Sequence, residues 1–241
     1  MLVDIKEIAQ VKLRKPILVE GFPGIGMVGT ISASYLAEKL DMKLVGYIQS
    51  SHFPPIVAIH NYEPVSPARI YASEEHDLLV LFSEFIIPAE LVYALSQRIL
   101  KYAQDKKAQA IYSLAGIASP QPDGKIYGIA STKKMSELLK KKGVELIKEG
   151  ATQGVSGILI AECASRDFPA ANLLIQTTNP MEPAGSAKVL QKLSEIMDVP
   201  IDTASLLKQG KEIESKIKDS MDKIKSLHTK YNELDSNPAY A

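Results

Sequence analysis

The sequence predicts an α/β protein with a mostly parallel, partly mixed sheet covered by helices on both faces. Three observations predict it. Short β-branched runs bounded by Gly, Pro, Asn or Asp recur over the first three quarters of the chain. Stretches of helical period lie between them, and the strand–helix–strand alternation repeats along one chain. The hairpin-like runs between residues 56 and 82 predict that part of the sheet is mixed.

Residues 1–15 alternate apolar and charged positions (Leu2, Ile5, Ile8, Val11, Leu13) and read as edge strands or an extended lead-in. Pro16-Ile-Leu-Val-Glu20 is a β-branched run closed by Gly21, the pattern of a buried strand. A glycine-rich turn follows, then a helical pattern from Met27 to Leu40 and a strand over 43–50. Residues 56–60, 68–72 and 77–82 are further short β-type runs. From Pro88 to Tyr102 the period is helical, with proline suited to the first turn. Residues 110–114 read as a strand and Pro120-Gln-Pro-Asp-Gly124 as a turn. Ser131 or Thr132 then caps a Lys-rich helix ending at Gly143. A strand follows near 144–147. Residues 156–165 fit a short buried helix, although Gly157-Ile-Leu-Ile-Ala161 alone fits a strand equally well. Residues 172–178 are the next strand.

Beyond Pro183 no strand signal remains, and two helical stretches, 184–197 and 203–234, are separated by Asp198-Val-Pro200. In the second, Leu206, Ile213, Leu227 and Leu234 share one heptad position, while Ile217, Ile224 and Tyr231 share another. Pairs such as Glu212–Lys216 and Asp219–Lys223 support the exposed face at four-residue spacing. Such a helix either packs back on its own domain or forms a helix–helix interface between subunits. The expected organisation is an α/β domain over 1–183, a helical oligomerisation region over 184–235 and a flexible tail over 236–241.

Composition narrows the function classes. Lys plus Arg and Asp plus Glu number 28 each, so no net field draws nucleic acid or an anionic membrane. Cys163 is the single cysteine, which precludes an intramolecular disulfide and fits a reducing compartment. The N-terminus mixes charges into its apolar residues, unlike a signal peptide, and no apolar run approaches the ~20 residues of a membrane span. A soluble, cytoplasmic protein is the expectation.

The sharpest local pattern is Gly21-Phe-Pro-Gly24-Ile-Gly26-Met-Val-Gly29, in which Gly24, Gly26 and Gly29 fit G-x-G-x-x-G between a strand and a helix. A dinucleotide site also requires an acidic residue at the end of the next strand, and that strand ends Tyr47-Ile-Gln-Ser-Ser51. Pro23 removes a backbone donor as well. The loop therefore reads as a structural β–α turn, with no cofactor predicted. His52-Phe-Pro-Pro55 reads as a rigid turn or as a ligand contact. His52, His60, His76 and His228 have no metal-binding spacing. Cys163 reads as a buried small hydrophobe. Glu84, Glu90 and Glu162 lie near apolar runs, with nothing to show that any two converge. The Lys133-Lys134 and Lys140-Lys-Lys142 clusters read as the solvated face of one helix. No nucleophile, metal or phosphate-binding motif is present, so catalysis is not expected.

Four of these motifs taken in order carry a resemblance: the Gly21–Gly29 loop, the His52–Pro55 turn, Gly154-Val-Ser-Gly157-Ile-Leu and Ala170-Ala-Asn-Leu-Leu174. Over roughly residues 15–225 the chain resembles the archaeal relatives of the eukaryotic proteasome assembly chaperone. The resemblance implies a three-layer α/β/α domain akin to nucleoside phosphorylase/hydrolase-like folds, with a C-terminal helical extension that sets a homo-oligomer. It also implies a non-enzymatic partner of the proteasome core particle, acting in assembly or as an ATP-independent activator. Family members engage the α ring through a C-terminal hydrophobic residue, a Tyr and a final residue bearing the free carboxylate. In this chain these are Ala239, Tyr240 and Ala241. A paralogue or small adaptor protein is left open as a further partner. Two other readings stand beside this one: a nucleotide- or nucleoside-binding enzyme using the loop, and a scaffold that binds another protein through its helices.

Overall fold

The structure, a computed structural model, describes residues 2–60 and 62–208, together with positions 215, 218, 219, 222, 223, 226, 227, 229 and 230. The chain opens with β1 (Asp4–Glu7) and β2 (Ile17–Gly21), followed by α1 (Val28–Lys39). Next come β3 (Lys43–Gln49), β4 (Ala58–His60), β5 (Glu63–Val65), β6 (Ala68–Ser73) and β7 (Leu78–Ser83). Then follow α2 (Val92–Asp105), β8 (Ala110–Ala118), β9 (Ile126–Ala130), α3 (Lys133–Lys141) and β10 (Glu145–Leu146). The last described elements are α4 (Gly154–Ser165), β11 (Ala170–Thr177), α5 (Pro183–Met197) and α6 (Ala204–Lys208).

The main sheet runs β1-β3-β6-β7-β2-β8-β11-β9-β10. Its centre, β7-β2-β8-β11, is parallel. The β1-β3-β6-β7 side is antiparallel, and so is the β11–β9 pairing, while β10 runs parallel to β9. All of Leu78-Leu-Val-Leu-Phe-Ser83 is buried, as a central strand covered on both faces must be. The two-residue period divides the strands between two cores. Leu18, Leu79, Leu81 and Ile111 pack under α2 and α4, while Val19, Val80, Tyr112 and Leu173 pack under α1, α3 and α5. This is the predicted three-layer α/β/α architecture with a mixed sheet.

Several local alternatives resolve. Thr132 is the N-cap of α3, its hydroxyl accepting from Met135 N at 3.2 Å. Ser131 instead donates to the Phe168 carbonyl and accepts from Ala170 N, each at 2.7 Å, tying α3's start to β11. Gly157-Ile-Leu-Ile-Ala161 is helical. The 56–60 run does form a strand, but it pairs only with β5 in a separate hairpin and does not join the main sheet. β9, absent from the sequence reading, pairs antiparallel with β11.

α5 contributes Val189, Leu190 and Leu193 to the α1 core, so the change of character at Pro183 is a change from strands to helices and not a break in packing. α6 continues onto the same core. Leu206, expected at a subunit interface, is fully buried in its own chain, and that corrects the expectation: it has no surface to offer a partner. Leu227 is 56% exposed. Ile213, Ile217, Ile224, Tyr231, Ala239, Tyr240 and Ala241 lie outside the described residues.

Candidate functional site

The Gly21–Gly29 turn sits at the carboxyl edge of β2, the position at which open α/β sheets place ligands. Here the space is filled by the protein itself. A Cβ on Gly21 would lie 2.2 Å from the Gly29 carbonyl oxygen, and one on Gly29 would lie 2.5 Å from that of Leu114. α1 therefore starts in direct contact with the backbones of β2 and β8. Gly26 has φ +64°, and its Cβ would meet Thr177 Cγ2 at 2.7 Å and Glu182 Cβ at 3.3 Å. Glu182 closes this corner: its amide donates to the Gly26 carbonyl at 2.8 Å, and its carboxylate accepts from Thr177, Asn179 and the Gly185 amide. A carboxylate and carbonyl oxygens are poor neighbours for a pyrophosphate. Only Gly24, with φ −162° and open space, is free of such contacts.

Beside the turn lies an open groove of about 670 Å³, lined by Ile25, Ser119, Pro120, Thr178, Asn179 and Pro180 among others. None of its lining residues is ionisable, so it lacks any side chain for acid–base chemistry.

The remaining candidates are spent on structure. Glu84 accepts from both Arg69 and His60, and Glu162 pairs with Arg166 at 2.6 Å, so these carboxylates go to separate ion pairs. Cys163 is buried, and desolvation pushes its thiol up to about 12, which suppresses the nucleophilic thiolate. The His52 turn is pinned by Phe53, packed edge-on against Phe85 with centroids 4.9 Å apart, and leaves the imidazole exposed. Among the described residues no cluster of three His, Cys, Asp or Glu is placed to hold a metal, and no helix is long and apolar enough to cross a membrane.

One feature bears on the helical extension. The Tyr35 hydroxyl donates to the Asp202 carbonyl at 2.8 Å and hydrogen-bonds Ser205 Oγ, Lys39 pairs with Asp202 at 2.8 Å, and Leu206 plugs the core beneath. The root of the extension is thereby fixed to α1. Beyond it, the described positions from 215 to 230 are helical and exposed.

A model of the PAC2 family matches residues 18–221. The chain belongs to the PAC2 family. Among solved PAC2-like structures, Pyrococcus furiosus PbaA, titled an archaeal homolog of proteasome-assembly chaperone, superposes with a TM-score of 0.81 at 28% identity, covering 93% of this chain and 99% of that one. P. furiosus PbaB, titled an archaeal proteasome activator, gives 0.76 at 23% identity over 90% of this chain and 98% of that one, a likeness of fold. An uncharacterized Methanocaldococcus jannaschii protein, MJ0106, is 31% identical over 214 residues, 88% of each chain.

What the sequence reading missed in this PAC2 chain is a buried polar row on the sheet. Glu20, Ser113 and Asn172 occupy in-register positions on β2, β8 and β11, all almost completely buried. Two signals were available: a glutamate ending the apolar run Ile17-Leu-Val, and an asparagine inside Ala-Ala-Asn-Leu-Leu.

Proposed function

We propose that this PAC2 chain is a homo-oligomeric, non-enzymatic proteasome assembly chaperone or ATP-independent activator that binds the α ring of the core particle through its C-terminal tail. The observation that carries the reading is the match to PbaA, 28% identical over 93% of this chain and 99% of that one. The Gly21–Gly29 turn supports it as a packing joint whose space is filled by the protein itself. In this reading Tyr240 inserts its ring into a pocket of the core particle and the Ala241 carboxylate pairs with a basic side chain there. Residues 209–231 join subunits through Ile213, Ile217, Ile224, Leu227 and Tyr231, with Leu206 serving as the inward anchor of the same helix.

The test is a pull-down with latent core particles, read together with peptide hydrolysis. Tyr240→Ala should abolish association while the oligomer stays intact, and one residue added after Ala241 should do the same by moving the carboxylate out of register. Ala239→Leu should strengthen association. If Tyr240→Ala binds and stimulates as the parent does, the tail has no role and the scaffold reading replaces this one.

A further inference from the structure

The β4–β5 hairpin is apolar on both faces and covered on one. The two-residue period turns Ala58 and its cross-strand neighbour Val65 towards the body, where both are half-buried and Ile56 packs on the core under α2 and α4. His60 is held on that side as well, its Nε2 2.8 Å from Glu84. The alternate set, Val57, Ile59 and the neighbour of Ile59, Pro64, is exposed, with Ile59 at 73%. At the tip Tyr62 is 100% exposed with φ +69°, a left-handed conformation that a two-residue hairpin turn ordinarily gives to glycine or asparagine. Ile86, two residues beyond the Glu84 that His60 holds, is exposed too. A continuous run such as Ile56-Val-Ala-Ile59 belongs to a strand buried on both sides, and a lone two-stranded hairpin is marginal in water. The outer face is therefore half of a contact.

We infer that this outer face, Val57, Ile59, Tyr62 and Pro64 together with Ile86, packs on the same face of a second copy of the chain across a two-fold axis. The inference rests on the homo-oligomeric reading above and adds a contact between the α/β bodies to the one proposed for the helix. Composition selects the occupant. Residues 51–66 and 84–93 contain no Lys or Arg, and of their acids Glu63, Glu84 and Glu90 the second is spent on Arg69 and His60. Lasting contacts between copies of one chain are the apolar, charge-poor class, whereas a partner that comes and goes meets a more polar surface. Area agrees. A standard interface takes ~800 Å² from each partner, about 65% of it apolar between identical chains, and Val57, Ile59, Tyr62 and Ile86 at their exposure cover roughly that apolar share. A two-fold axis needs only this one patch, since each copy presents what the other covers.

The chain has no tryptophan, so Tyr62→Trp gives the full-length protein a single reporter at the hairpin tip. Its emission and acrylamide quenching are read alongside particle mass by sedimentation. The expected result is an oligomer whose tryptophan emits to the blue of an exposed indole and is shielded from acrylamide. Ile59→Lys in that background, at a position open to solvent in the single chain, should stay folded by circular dichroism because the lysine is buried only in the contact. It should lower the mass by a factor of about two or more and leave the tryptophan exposed. Ile217→Asp with Ile224→Asp should shrink the particle and keep the tryptophan shielded, so the two contacts are read separately. A tryptophan that is exposed in an oligomeric chain, with mass unchanged by Ile59→Lys, overturns the hairpin contact, leaves the homo-oligomer standing and gives the face to a different protein. A Tyr62→Trp chain that sediments as a monomer overturns both.

Discussion

Glu20 offers a test in which the sign and size of an effect both come from the fold. Its carboxyl is buried on the face of β2 that α2 and α4 cover, and burial pushes its pKa from the ordinary 4.5 up to about 7, against smaller opposing contributions from Ser113 and the Phe22 amide. The folded chain therefore keeps a proton that the unfolded chain has already released. Stability linked to this group is fully present below pH 4.5 and is lost as pH rises through about 7. At ~1.4 kcal/mol per pH unit, the gap between the two values amounts to about 3 kcal/mol. Glu20→Gln keeps the shape and the acceptor for Phe22 N but carries no titrating proton. Urea unfolding of both proteins should give near-equal stabilities at pH 4.5 and a variant more stable by about 3 kcal/mol at pH 8. Comparing the pair cancels every other titrating group. A stability difference that stays flat between pH 4.5 and 8 would show that Glu20 is ionised without penalty, and the argument from burial would fail.

The glycine turn separates a packing joint from a ligand loop. Gly24→Ala should change melting by less than the error of measurement, whereas Gly26→Ala and Gly29→Ala should each cost ~1 kcal/mol or more, through the positive φ of the first and the Leu114 carbonyl facing the second. Calorimetry showing saturable micromolar NAD or ATP binding would overturn this account and restore the enzyme reading. Tyr35→Phe should loosen the root of the extension by about 1 kcal/mol, seen as faster hydrogen exchange at Leu206–Lys208 with α1 unchanged. Equal exchange in the two proteins would leave Leu206 and the Lys39–Asp202 pair as the anchor. Replacing both Ile217 and Ile224 with Asp should give a smaller particle by light scattering with the α/β body still folded. An unchanged oligomer would move the subunit contact off the helix.

Legibility in the sequence followed how locally each element is specified. β2, β7 and α2 were readable because burial on both faces leaves an unbroken apolar run, and because an amphipathic helix repeats its pattern over four turns. β9 was not: Ile126-Tyr-Gly-Ile-Ala130 is short, follows a Pro- and Gly-rich turn and carries Gly128 at its centre. That glycine is required by Val144, whose Cγ1 would lie 2.7 Å from a Cβ. The reason for it is a tertiary contact, invisible in a window of five residues. The β4–β5 hairpin was half legible, since strand character is local but pairing is not. The row Glu20–Ser113–Asn172 was beyond reach for the same reason, its members being 93 and 59 residues apart until the register of β2, β8 and β11 aligns them. Leu206 shows the converse failure. Its heptad position reads as apolar, yet periodicity cannot say which surface an apolar stripe will meet, and Leu206 meets the core that α1 and α5 cover in its own chain.

That last point shapes how the proposed tail would act. Burying the Tyr240 ring gains ~1.5–3 kcal/mol, and a charge-assisted bond to the Ala241 carboxylate adds ~1.5–3. Ordering the tail costs ~1–2 kcal/mol per residue. One tail therefore falls well short of the ~8 kcal/mol of micromolar binding. Several tails on one symmetric body overcome the deficit through effective concentration, but only where their spacing suits the pockets. A freely swivelling extension would spread its tail through a large volume. Here the root is held by Tyr35, Lys39 and the Leu206 plug, and in the proposed oligomer that would fix where each extension starts on its body. It follows that loosening the root should weaken core-particle association without touching the tail. Tyr35→Phe combined with Lys39→Ala, with residues 236–241 intact, should lower apparent affinity while the free C-terminal peptide binds core particles as before. If the double variant associates as tightly as the parent, the anchored root carries no part of the avidity, and contacts elsewhere on the body must supply it.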